Sequence, residues 1–176
     1  VRNFSYDGGS RVELDNGSSI SASANSVAGS ASATGIMAVG VGGDAIVRLL
    51  GASDVSVDVS GSDVYAYGVM NTLSGAGTAG VAIDAGSVVD VGTFDQAGTT
   101  AYVTGVSNSA KDPLGMAYAA IKGLVSGTAD ALGVAEVFGV VNAASGGEAV
   151  IELSESAEVI AEGTSANDIA TAVAVD

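Results

Sequence analysis

A short string closing on glycine, an aliphatic residue, one further residue and asparagine recurs along this chain, as YAYGVMN at 65–71, YVTGVSN at 102–108 and VFGVVN at 137–142. A fourth copy, ATGIMA at 33–38, keeps the glycine but has Ala38 where the others carry Asn71, Asn108 and Asn142. The period is about 33 to 37 residues. A chain with such a period is one supersecondary unit stacked on itself, because a single unit cannot bury its own apolar face.

Between these marks a second block aligns almost without gaps: VELDNGSSISA from Val12, VRLLGASDVSV from Val47, VAIDAGSVVDV from Val81 and IELSESAEVIA from Ile151. Four columns result. They are Val12, Val47, Val81, Ile151; Leu14, Leu49, Ile83, Leu153; Ile20, Val55, Val89, Val159; and Ala22, Val57, Val91, Ala161. Every position in them is aliphatic, where a chain that is 48% hydrophobic would fill about half by chance. Within each block the apolar residues sit two apart, the period of a strand with one buried face, and β-branched residues dominate. Gly, Ser, Asn and Asp fill the gaps and suit tight corners. One repeat thus carries three short strands. The chain is expected to be an all-β, parallel β-solenoid of about five coils of 33–37 residues, one repetitive domain over 1–176 with incomplete coils at both ends. At a strand spacing of roughly 4.8 Å such a stack is on the order of 24 Å long.

The repeat is faintest from Lys111 to Leu132. There PLGMAYAAIKGLVSGTADAL sets Pro113 at a position suited to a helix start, with Ala, Met and Leu at nearly helical spacing. Two readings stand: a degenerate coil in which Ile121 takes the place of Leu14, or one short helix near 113–124.

Phrases such as DNGSSISASANSVAGSASATGI, and the pattern from about Gly8 to Ala161, resemble the repetitive passenger regions of bacterial autotransporter and haemagglutinin-type surface adhesins. The resemblance implies a parallel β-helix in a secreted, elongated protein of structural or adhesive role.

Composition removes most catalytic chemistries. Cys, His and Trp are absent, so there is no disulfide, thiolate nucleophile, Zn-thiolate site or His-based triad. Five basic residues against twenty acidic ones give a net charge of -15, which repels nucleic acid and anionic lipid. No stretch approaches the roughly 18 to 20 apolar residues of a membrane span. The opening at Val1 reads as a processed or excised segment, and the Gly/Ala/Ser/Val/Asp-rich, Lys-poor composition suits a secreted, extracellular or cell-surface protein.

The expected partner is another copy. The strands near Val12 and Ile20 read as the second and third of a coil, while ATAVAVD near the C-terminus reads as a first strand. Val12, Leu14, Ile20 and Ala172, Val173, Val175 are accordingly expected at a subunit interface, joining copies into a helical or tubular homopolymer. Asn71, Asn108 and Asn142 fit a hydrogen-bonded ladder, or equally a recurrent corner residue. Tyr65, Tyr67, Tyr102 and Phe138 share a strand family and either stack, pack against a neighbouring chain or fill the core.

Other motifs carry less. GAGTAG at 75–80 satisfies G-x-G-x-x-G, but an alternating strand follows where the dinucleotide fingerprint needs a helix. Asp44, Asp84, Asp90, Asp95 and Glu148 could offer oxygen ligands to Ca²⁺, though the GGxGxDxUx repeat is missing and solvated carboxylates are the plainer account. Lys122 is an unremarkable amine, and the sequons at Asn3 and Asn16 arise easily by chance. The reading is therefore a structural, self-assembling extracellular protein without cofactors or catalytic centre. Its alternatives are an adhesin or sugar-binding module contacting cell-envelope glycans, and a β-helical polysaccharide-degrading enzyme using paired carboxylates.

Overall fold

The computed structural model describes residues 1–6, 8–93 and 97–176, and among them every regular element is a strand. In chain order these are β1 (Arg2–Ser5), β2 (Ser10–Leu14), β3 (Ser19–Asn25), β4 (Ser30–Val41), β5 (Ala45–Leu49), β6 (Asp54–Ser60), β7 (Asp63–Ser74) and β8 (Gly77–Ile83). There follow β9 (Val88–Thr93), β10 (Thr100–Ala110), β11 (Gly115–Ile121), β12 (Leu124–Ala131), β13 (Val134–Ala144), β14 (Ala149–Leu153), β15 (Glu158–Ser165) and β16 (Ala170–Val175). Each strand pairs in parallel with the strand three places along, giving three sheets: β1-β4-β7-β10-β13-β16, β2-β5-β8-β11-β14 and β3-β6-β9-β12-β15. This is a parallel β-solenoid of about five coils.

Register follows the aliphatic columns. Val12, Val47, Val81, Ala119 and Ile151 are successive partners, as are Leu14, Leu49, Ile83, Ile121 and Leu153. In the third sheet Ile20, Val55, Val89, Val125 and Val159 align, beside Ala22, Val57, Val91, Gly127 and Ala161. The shared register has a physical cause, since sliding one strand by a single residue would turn its whole apolar set outward. Along β5 and β11 every second residue is buried, and the inward sets of the three sheets form one continuous core. Each aliphatic side chain fully enclosed there contributes roughly 1.5–3 kcal/mol.

The segment 113–124 is not a helix. Ala117, Ala119 and Ile121 point inward along β11 at a period of two, and Ile121 occupies the Leu14 column. Alanine satisfies a helical and an alternating pattern alike, so spacing could not separate them. Before β11 the chain turns sharply: Asp112 Oδ1 accepts from Leu114 N at 2.9 Å and Asp112 O from Gly115 N at 2.9 Å.

Before the strands at Val12 and Ile20, which are the second and third of their coil, β1 supplies a short first strand in the first sheet, with Arg2 opposite Met37 and Ser5 opposite Gly40. The long strands of that sheet bend at Gly35, Gly68, Gly105 and Gly139, where the pairing skips one residue. The bend demands glycine because of close approach. A Cβ on Gly105 would lie 2.5 Å from Val125 Cγ1 and 2.7 Å from Gly139 O of the next coil. The recurring Gly-aliphatic string is thus the corner where the first sheet folds against the third.

Candidate functional site: the asparagine ladder and the end faces

Three residues beyond the glycine bends the chain places the asparagine column in full register, Asn71 beside Asn108 and Asn108 beside Asn142. Asn71 Nδ2 donates to Asn108 Oδ1 at 2.8 Å, and Asn108 Nδ2 to Asn142 Oδ1 at 2.8 Å. The same amides reach the second sheet. Asn71 donates to the carbonyls of Ala45 (2.9 Å) and Gly80 (3.2 Å), Asn108 to those of Ala79 (2.9 Å) and Tyr118 (3.2 Å), and Asn142 to those of Ala117 (3.1 Å) and Val150 (2.9 Å). The ladder therefore ties the first sheet to the second as well as coil to coil. All three residues are buried, and a small separate core of Ala45, Leu73, Ala79, Ala110 and Ala117 lies apart from the main one. Both readings of the triplet coincide here, since it is a corner and a ladder at once.

The ladder column has two further members. Ala38 stands next to Asn71, and Asn3 stands next to Ala38. Asn3 Nδ2 donates to Arg11 O at 2.9 Å, the position in the second sheet that Gly80, Tyr118 and Val150 hold for the other asparagines. Ala38 interrupts the series, and Asn71 Oδ1 is left buried without a hydrogen-bond partner. Such an orphaned acceptor costs about 1–3 kcal/mol of desolvation. Sequence reasoning took Asn3 only as a sequon; its distance of 35 residues from Ala38 is the signal that places it in the column.

A second polar column was also missed. Ser53 and Ser87 are fully buried at the corner between the second and third sheets. Ser53 Oγ bonds to Leu50 O and Asp15 O, both at 2.8 Å, and Ser87 Oγ to Gly51 O. The serine that precedes the third strand in successive repeats was its only trace.

The aromatic residues stand on the outer face of the first sheet rather than in the core. Tyr65 and Tyr102 are register partners with ring centroids 5.4 Å apart and planes 15° apart, and Tyr67 lies in the neighbouring outward column with Phe138. On the second sheet Tyr118 Oη donates to Glu152 at 2.5 Å. That hydrogen bond, then desolvation and the neighbouring carboxylate charge, hold the phenol above its ordinary pKa.

The residues expected at an interface divide between the ends of the stack. Val12 and Leu14 are buried, Ile20 is half-buried, Val173 is half-buried, and Ala172 and Val175 are exposed. They lie on edge strands: β1, β2 and β3 at one end, β14, β15 and β16 at the other. The last coil is the more open, with Ile151, Val159 and Ala161 only partly covered and Leu153 50% exposed.

The other candidates remain apart. Among the described residues no three acidic side chains gather as a metal site; Asp44 Oδ1 instead accepts from Thr78 N at 2.8 Å, and Asp95 lies outside the described residues. GAGTAG is a turn running into β8, and Lys122 sits in the turn between β11 and β12, where its carbonyl accepts from Ser156 Oγ at 3.0 Å. Asn16 Oδ1 accepts from Ala52 N at 2.9 Å in an exposed turn. Among the described residues no helix is long and apolar enough to cross a membrane. Comparison with protein-family models, curated proteins and solved structures finds no match to this chain.

Proposed function

We propose that this protein is a structural subunit whose copies join end to end, by strand pairing, into an extracellular filament, tube or cell-surface sheath, with no catalytic centre. The observation that carries the reading is the pair of open end faces. Each presents three parallel edge strands whose inward residues belong to the same aliphatic columns as the rest of the stack. A free parallel edge is a template for another strand, and nothing among the described residues covers either face.

Charge supports a head-to-tail arrangement. From Val134 onward the sequence carries eight acidic residues and no basic one, whereas the first thirty residues hold two arginines against three acids. Two last coils brought together would set acid against acid. A first coil on a last coil brings Arg2 and Arg11 to the acidic end, keeps all strands parallel and leaves a new open face, which is the geometry of an unclosed polymer. The resemblance of the repeats to surface-adhesin passenger regions adds to the reading of an extracellular, elongated protein.

A dilution series followed by sedimentation velocity, with negative-stain micrographs of the concentrated end, tests this. Rods that lengthen with concentration are expected. Compact monomers throughout would remove the reading, and glycan-array binding or turnover of an acidic polysaccharide by such monomers would turn it toward a sugar-binding module or an enzyme.

A further inference from the structure

We propose that at the joint between two copies β1 of one copy seats on β13 of the other with Asn3 against Asn142, so that the asparagine ladder runs through the joint, and that Ala174 limits how tightly the joint closes. This rests on the end-to-end reading above and names its register.

The ladder fixes the alignment. Inside the chain each asparagine amide bonds to a second-sheet carbonyl of its own coil, to one of the preceding coil and, where the column continues, to the next asparagine. Asn142 makes both carbonyl bonds and is the last asparagine of the column; Asn3 makes only its own-coil bond, to Arg11 O. Setting Asn3 on Asn142 lets Asn142 Nδ2 meet Asn3 Oδ1 as Asn108 meets Asn142.

That one match sets every other column. By the register inside the chain, β2 then lies on β14 with Val12 on Ile151 and Leu14 on Leu153, and β3 lies on β15 with Ile20 on Val159 and Ala22 on Ala161. Apolar meets apolar in each, and the exposed Leu153 is covered. A slip of one residue would set Val12 against Glu152, an outward position, and a slip of two, which keeps the faces, would part Asn3 from Asn142. On the outer face Glu13 falls directly on Glu152, and Arg11, ion-paired with Glu13 in its own strand, lies diagonal to Glu152 at the roughly 7–8 Å that a long side chain spans, where it offsets the like charges.

The same register exposes the misfit. The bend column reads Gly35, Gly68, Gly105, Gly139 and then Ala174. A Cβ on Gly139 would lie 2.5 Å from Val159 Cγ1 and 2.5 Å from Ala174 O. Ala174 carries that Cβ, and in the joint the equivalent neighbours are Ile20 and Gly35 O of the incoming copy. β16 covers β13 over its first half and β1 takes the rest, but the two overlap in two columns: Val175 and Val1 share that of Val140 and Ile36, and Asp176 and Arg2 share that of Val141 and Met37, so one pair yields its place on joining.

Sedimentation equilibrium on the whole chain tests this with Asn3→Ala, Asn142→Ala, the double variant and Ala174→Gly, each first checked by its melting temperature. Each asparagine variant is expected to weaken association about tenfold, with the double variant no weaker than either single, and Ala174→Gly to strengthen it about tenfold or more. Association of a wild type that all four variants match overturns the register and leaves the end-to-end reading standing. A monomeric wild type that associates once Ala174 is glycine overturns the reading that the natural chain polymerises and supports the register, which alone names Ala174 as the obstacle. Monomers from both the wild type and Ala174→Gly overturn the inference and the reading together.

Discussion

Ile83 and Leu153 belong to one column of one sheet, yet Ile83 is fully enclosed and Leu153 is 50% exposed. The sequence around them is similar; the difference lies in what stands above and below. The coil of β7, β8 and β9 is covered on both sides, while β14 has a neighbour on one side only. In a stacked array a residue's contribution is set by its coil's position as much as by its own chemistry. Leu14, at the other extremity of the same column, is only 7% exposed. The two ends are therefore unequal, and the last coil is the less well packed.

The comparison breaks most sharply at this column. Ile83→Ala should cost about 2–5 kcal/mol, since an enclosed aliphatic leaves a cavity, whereas Leu153→Ala should cost under about 1 kcal/mol. Urea denaturation of the two variants against the wild type checks it, and equal losses would show that the last coil is as tightly held as the middle.

The ladder offers a smaller contrast. Asn108→Ala removes donors to Ala79 O, Tyr118 O and Asn142 and should cost about 1–3 kcal/mol. Ala38→Asn works in the other direction, giving the buried Asn71 Oδ1 a donor, and should raise stability by about 1 kcal/mol. Thermal melts of both variants decide whether the column acts as one cooperative unit.

The smallest expected effect is at Tyr118. Its folded-state pKa lies above the unfolded value, so its bond to Glu152 stabilises fully below the ordinary tyrosine pKa and is lost as pH rises through the raised folded value. Wild type and Tyr118→Phe should therefore differ in melting temperature at neutral pH and converge in strong alkali. A gap that persists there would assign the difference to packing.

Much of the fold was legible because two periods coincide, one of two residues within strands and one of about 33–37 between coils. The columns through Val47 and Val89 needed no other information. Where side chains shrink to alanine and glycine, as in Ala119 and Gly127, the within-strand period fades and only the spacing to Ile121 marks the coil. β1 was missed because Arg2–Ser5 is too short and polar to show alternation, and its membership is carried by Asn3 alone. The outward stance of Tyr65 and Tyr102 was hidden for a different reason. An aromatic residue suits either face of a strand, and only the buried Val64, Ala66 and Val103 beside them fix which face is inner.

The glycine bend also bears on how such a molecule can change in size. Because the same tight corner returns once per turn with its neighbours in fixed alignment, excising the chain from one corner to the next rejoins like to like and shortens the protein by a whole turn. Unequal spacings are taken up in the loops outside the columns. Length in this architecture is a counted property, open to duplication or loss in single steps without redesign of the interior.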